Sequence, residues 1–285
     1  MMSLIECKAG RFEGLLKNNC YQFFGIPYAK YDQRWGESFL IEEEIYLKAL
    51  KKGDSAPQTR SDDQSQSGAS FFQDTSLSKQ SEDCLTLNIC SNNIKAKNPV
   101  MIWIHGGALV TGGSSSIMYD LEHLAKKGVV IVSINYRLGP LGFLRLDDAT
   151  NGQINSSGNE GLMDQRNAIK WVKENISSFG GDPNNITIFG ESAGSWSCNL
   201  QIAAGHDNLF QKAICQSGGL DAIATKEKAN QWAELFIDQF EKDGYKVSDL
   251  RSCDWNSIIN TAKKLKHSRL SAVSYTHLTL PTIPG

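Results

Sequence analysis

ITIFGESAGSW, residues 186 to 196, decides how the rest of this chain is read. It predicts a buried strand, a sharp turn and then a helix, with Ser192 at the turn. Gly190-Glu191-Ser192-Ala193-Gly194 fits the pattern G-x-S-x-G. The chemistry explains the glycines. A strained turn lets strand and helix approach closely only when the flanking residues are small. Such a turn exposes the serine hydroxyl at the carboxyl end of a sheet and aims the next backbone N–H at a developing oxyanion. Ser192 is therefore the candidate nucleophile.

A second motif lies upstream. PVMIWI, residues 99 to 104, is a continuous apolar strand, and His105-Gly106-Gly107-Ala108 follows it directly. A glycine-rich turn after such a strand is where further oxyanion N–H groups arise in hydrolases built on a nucleophile elbow. Each such donor is typically worth roughly 10²–10³ in turnover.

Between and around these motifs, apolar strands alternate with helices. VVIVSINYR forms another continuous apolar strand, and GLMDQRNAIKWVKENI places Leu162, Gln165, Ile169, Val172 and Ile176 at helical spacing. A short helix is expected around Tyr119 to Lys127, and AICQS reads as a further strand. Strands apolar on both faces, alternating with helices, imply an α/β fold whose central sheet is mostly parallel and covered on both sides. The first ninety residues suggest short strands and loops instead. Residues 52 to 82 are rich in Ser, Asp and Gln and suggest an exposed loop. Residues 225 to 266 read as two amphipathic helices.

The bulk properties narrow the function classes. A net charge of −2 gives no general electrostatic reason to expect nucleic acid or an acidic membrane surface as partner. Nothing approaches eighteen uninterrupted apolar residues, so no transmembrane helix is expected, and the first residues carry no apolar leader core. The seven cysteines lack CxxC pairs, which points to buried thiols rather than a zinc site or a disulfide framework. Cys84 and Cys90, six apart on an expected strand, are predicted to share one face. The sequons at Asn155, Asn175 and Asn185 are expected chance matches. These features predict a cytoplasmic protein without metal or organic cofactor.

SEDCLTLNIC (81 to 90) and FGGDPNNITIFGESAGSWS (179 to 197) resemble the two signature stretches of the type-B carboxylesterases, the carboxylesterase/cholinesterase family. FGIPYA, NYRLGPLGF and FQKAICQSG follow the family pattern in order, so the resemblance spans roughly Gly10 to Gly219. It implies an α/β-hydrolase fold and hydrolysis of small-molecule carboxylic esters through an acyl-enzyme. It makes Ser192 the nucleophile, gives the oxyanion N–H groups to Gly107, Ala108 and Ala193, and sets Glu191 and Ser217 in the surrounding hydrogen-bond network. It also implies internal ion pairs between Arg34 and Glu82 and between Arg137 and Asp164. Secreted relatives carry a cysteine where this chain has Ala56, opposite the Cys84 position, and that absence fits the intracellular, bacterial-type branch. The aromatic choline-binding residue of cholinesterases is lacking as well.

A serine nucleophile needs a histidine base and an acid to orient it. His105 precedes the oxyanion turn, where the resemblance gives it a structural role. His123 and His206 sit in polar contexts, and His267 follows KKLK on a solvated helical stretch. His277 lies in VSYTHLTLPT, which resembles translated sequencing-adapter DNA. The expectation is that residues 1 to 272 are the N-terminal part of one hydrolase domain and that 273 to 285 are not native. Ninety-three residues follow Ser192, fewer than the family places between its serine and its glutamate. Asp221, Glu234 and Asp238 fall on the wrong elements, so the acid and the histidine of the triad are expected to be missing from this chain. Two rivals remain at this level: a non-catalytic cholinesterase-like interaction protein, and an amidase or acyl-transfer relative.

Overall fold

A computed structural model describes residues 1–59, 79–205, 208–219 and 223–265. The chain starts as an antiparallel meander of β1 (Met2–Cys7), β2 (Gly10–Lys17) and β3 (Cys20–Pro27). Asn18 and Asn19 join the last two at φ 51° and 60°. Left-handed backbone at both central residues suits a two-residue hairpin, and asparagine tolerates it. β4 (Ala29–Lys30) and β5 (Phe39–Leu40) form a small separate ribbon, and β6 (Ile45–Lys48) runs parallel beside β2. β7 (Thr86–Ser91) then pairs antiparallel with β3.

From Asn98 onward the topology becomes α/β. β8 (Asn98–Ile104) leads through α1 (Leu121–Ala125) to β9 (Val130–Ile134), and α2 (Gly139–Phe143) and α3 (Glu160–Asn175) lead on to β10 (Gly181–Glu191). α4 (Ala193–Ala203) connects to β11 (Lys212–Gln216), and α5 (Lys226–Lys242) and α6 (Trp255–Leu265) follow. The main sheet is ordered β1-β2-β3-β7-β9-β8-β10-β11. Its block β9-β8-β10-β11 is parallel throughout, as the apolar strands predict, while β7 joins that block antiparallel.

The chain leaves β8 for β9 on one side and then places β10 on the other. That reversal of direction is a topological switch point. In open α/β sheets the crevice outside the carboxyl ends of such strands is where ligands bind. His105 and Ser192 follow directly from those two carboxyl ends.

The core lies chiefly on the α3 side of the sheet. Leu162, Ile169, Trp171, Val172 and Ile176 of the predicted helix pack with Phe12, Phe23 and Phe179 under strands β7 to β10. A smaller cluster under α1 fills the other face, with Cys20, Cys90, Leu121, Ala125 and Ile131. A third cluster joins α5 and α6 to Trp35, Leu144 and Leu146. The two amphipathic helices predicted for 225 to 266 are α5 and α6.

Two expectations need correction. Cys84 and Cys90 do not share a face: Cys84 lies in the main core and Cys90 beneath α1. The strand starts only at Thr86, after a tight turn in which Thr86 N–H donates to the Cys84 carbonyl, so the two-residue alternation does not extend back to Cys84. Nor is the polar stretch from 52 onward uniformly exposed. Ser55, Ala56 and Gln58 are buried, because their polar groups are taken up by neighbouring backbone and side chains within the protein. Residues 60–78 of that stretch lie outside the described residues, as do the adapter-like tail, His206, His267, His277 and Asp221.

Candidate active site

Ser192 sits between β10 and α4 at φ 55° and ψ −120°. A non-glycine residue in that region is strained, and the surrounding structure must hold it there. Gly190 and Gly194 show why. A Cβ on Gly190 would lie 2.5 Å from the Gly194 carbonyl carbon, and one on Gly194 would lie 2.1 Å from the Ile104 carbonyl oxygen. Strand, turn and helix therefore meet at backbone contact, with no room for a methyl group. The Ser192 N–H donates to the Gln216 carbonyl at 2.8 Å, which fastens the turn to the end of β11.

The turn after β8 lies against this elbow. A Cβ on Gly106 would stand 3.4 Å from Ser192 Cβ and 2.7 Å from the Glu191 carbonyl oxygen. Gly107, Ala108 and Leu109 take φ 107°, 54° and 61° in succession. The Gly107 carbonyl accepts from Val110 N–H and Thr111 N–H, both at 3.0 Å, closing the turn on itself. Ala193, buried at the first position of α4, has an N–H with no intrahelical acceptor, since the first turn of any helix leaves its donors unused. The partial positive charge of the helix start adds to the attraction for an anion there. The fold thus gathers Ser192, the Gly106–Ala108 turn and Ala193 at one place.

Around them the remaining predicted residues divide. Glu191 is half-buried beside Gly106, its carboxylate 3.4 Å from where a Cβ on that glycine would be. Ser217 follows β11 at φ 58° and is exposed. Its neighbour Gly218 is held to α4, since its carbonyl accepts from Ser195 Oγ at 2.7 Å and Asn199 Nδ2 at 3.2 Å. Both ion pairs are present and bidentate. Arg34 donates to Glu82 through Nε and Nη2, both at 2.6 Å, and Arg137 meets Asp164 at 2.8 and 2.7 Å. The second pair is fully buried.

His105 is fully buried, stacked on Tyr136 at 4.5 Å between ring centroids, and its Nδ1 lies 2.8 Å from the Gly106 carbonyl oxygen. Burial pushes its pKa down to about 4, so the ring is neutral and serves as a wedge under the turn. His123 is exposed on α1 beside Asp120, as a surface histidine should be. Among the described residues, no histidine hydrogen-bonds the Ser192 hydroxyl. Glu234 and Asp238 lie on the exposed face of α5.

Several side chains escaped the sequence reading. Asn88 donates to Ser114 O at 3.3 Å and to Ser133 Oγ at 3.1 Å, while Asn135 Oδ1 accepts from Ser114 N–H at 2.7 Å. Tyr136 Oη donates to the His105 carbonyl at 2.8 Å. The available signal was a polar residue within a run that is otherwise apolar, as with Asn88 in LTLNIC and Ser133 in VVIVSI. Such residues survive burial only when hydrogen-bonded.

The described residues hold no cluster of side chains suited to a metal ion, and no helix among them is long and apolar enough to cross a membrane. Comparison with known proteins gives a consistent answer. The family model described as the carboxylesterase family matches residues 2–280. The para-nitrobenzyl esterase of Bacillus subtilis is 38% identical over 270 residues, covering 92% of this chain and 53% of its own length. The bile salt-activated lipase of Bos taurus is 46% identical over 181 residues, 59% of this chain and 29% of its own. The solved carboxylesterase of Geobacillus stearothermophilus superimposes with a TM-score of 0.81 at 34% identity, over 93% of this chain and 53% of that one. The chain spans about half the length of the Bacillus subtilis relative. With an α/β-hydrolase fold carrying its elbow serine at the switch point, this chain belongs to the carboxylesterase family.

Proposed function

We propose that this chain supplies the nucleophilic half of a serine carboxylesterase. The observation that carries the reading is the strained Ser192 elbow with the Gly106–Ala108 turn packed on it. Ser192 Oγ attacks the carbonyl carbon of a small-molecule carboxylic ester as its proton passes to a histidine base. The N–H groups of Gly107, Ala108 and Ala193 hold the oxyanion of the tetrahedral intermediate. Collapse expels the alcohol, which takes the proton, and water then releases the acid from the acyl-serine. Glu191 and Ser217 order the hydrogen bonds around that centre. Carboxylesterase family membership and two esterase relatives support this chemistry.

The histidine base and the triad acid lie, on this reading, outside the described residues. The burial of His105 and the surface position of His123 support that placement. The seven cysteines are free, which supports a reducing, cytoplasmic setting.

The test is nitrophenyl-ester hydrolysis by this chain and by the full-length product of the reading frame that carries it. The chain alone should stay near the buffer rate. The full-length protein should turn over, and Ser192→Ala should lower its kcat by roughly 10⁴–10⁶. A full-length protein inert across an ester panel, or an unaffected Ser192→Ala variant, would overturn the proposal.

A further inference from the structure

We propose that Gln58 is a positioning residue of the oxyanion turn, acting through Gly112. The inference rests on the esterase reading of Ser192 and adds to it the part that sets the turn's geometry. Gln58 is buried and its carboxamide is filled on both sides. Oε1 accepts from Gly112 N–H at 2.9 Å, while Nε2 donates to the Gly112 carbonyl at 2.8 Å and to the Ala56 carbonyl at 3.0 Å. One side chain thereby holds both backbone groups of a single glycine. An amide can do this because it presents an acceptor and a two-hydrogen donor a fixed distance apart.

Gly112 bears directly on the turn. It takes φ 110°, and a Cβ there would lie 2.5 Å from His105 Nδ1 and 2.7 Å from the Gly106 carbonyl oxygen. Gly106 in turn lies against Ser192 and Glu191. Contacts therefore run from Gln58 through Gly112 to His105 and Gly106 and so to the nucleophile. Gln58 is anchored at its other end too. Its own N–H donates to Gln80 Oε1 at 3.1 Å, and Ser55 exchanges backbone bonds with Lys79 and Ser81 at 2.9 and 3.0 Å. The clamp is thus fixed from behind before it grips the turn. Oxyanion donors are effective only when they are held in place ahead of the reaction.

The carboxamide chemistry makes the test specific. Gln58→Leu removes both halves of the clamp. Gln58→Glu keeps shape and acceptor, but its carboxylate would face the Gly112 and Ala56 carbonyls with no hydrogen to donate. Once protonated, the Glu regains one donor. In the full-length protein, kcat for a nitrophenyl ester should fall about tenfold to a hundredfold in both variants, a fraction of what one oxyanion donor supplies, with KM within about twofold. The ratio of the Gln58→Glu kcat to that of the parent should rise as pH falls, whereas the Gln58→Leu ratio stays flat. Amide hydrogen exchange across residues 105 to 113 should speed up in both variants. Unchanged kcat, a loss confined to KM, or equal pH behaviour of the two variants would overturn the positioning role. A parent without turnover would instead sink the esterase reading, leaving hydrogen exchange to decide whether the clamp exists.

Discussion

The two margins of β10 are built to different standards. On the β8 side, the turn from His105 to Ser116 is held group by group. Tyr136 takes the His105 carbonyl, Gln58 both groups of Gly112, Asn135 the Ser114 N–H and Asn88 its carbonyl. On the other side β11 pairs, among the described residues, with β10 alone, and Ile214, Cys215 and Gln216 are exposed. The first margin is fixed by a lattice of buried side-chain bonds, whereas β11 is held by one ladder and by packing of Ala213 and α4 on its inner face. Ser192 stands at the junction. Its elbow is set rigidly against one margin, while its N–H is tied to the Gln216 carbonyl on the other.

The difference can be broken most forcefully at Gly194. Gly194→Ala puts a methyl group 2.1 Å from the Ile104 carbonyl oxygen, so strand and helix must part. The expected loss is about 3 kcal/mol or more in urea unfolding, with esterase turnover abolished. A variant of parental stability would mean that the contact relaxes freely.

Away from both margins, the start of α3 carries a buried titratable group. Glu160 at the start of α3 accepts from Ser157 N–H, Ser157 Oγ and Gly158 N–H. Burial pushes its pKa up to about 7 against the downward pull of these bonds and of Arg137. A carboxyl group with a raised folded-state pKa stabilises below its unfolded value near 4.5 and loses that contribution as pH rises through about 7. Unfolding free energy should therefore decline across that window by up to about 3 kcal/mol, and Glu160→Gln should flatten the slope. A slope unchanged in the variant would assign the pH dependence to other groups.

Asn88→Ala sharpens the comparison from within the lattice. It leaves the half-buried Gly25 N–H without its acceptor and the Ser114 carbonyl short of a donor. About 2 kcal/mol of stability should go, read from the denaturant midpoint. The smallest effect belongs to the open margin. Ile214→Lys should shift unfolding by less than about 0.5 kcal/mol, because the side chain is 44% exposed. It should nevertheless reduce light scattering on concentration, as charge on an edge strand blocks edge-to-edge pairing. A scattering trace unchanged by the lysine would show that this edge does not drive association.

How much of this was legible in the sequence follows the same division. The elbow could be read because its requirements are local: small residues flanking a serine, between a strand and a helix. Helix α3 was legible for the same reason, through Leu162, Ile169, Val172 and Ile176 at one spacing. The clamp was not. Gln58 lies in a polar stretch whose composition signals exposure, and its partners are backbone groups of Gly112 and Ala56, which carry no residue identity to recognise. Cys84 and Cys90 misled because alternation holds only within a strand, and β7 starts two residues after Cys84.

The isolated bridge between Ser55 and Gln80 has a consequence for how this scaffold can change over time. With Gln58 tied to Gln80 as well, the chain departs and returns at points already fastened together. Doubling the number of residues between two joined ends adds only about 0.6 kcal/mol of closure entropy. Insertions and deletions in that interval therefore leave the grip on Gly112 almost untouched.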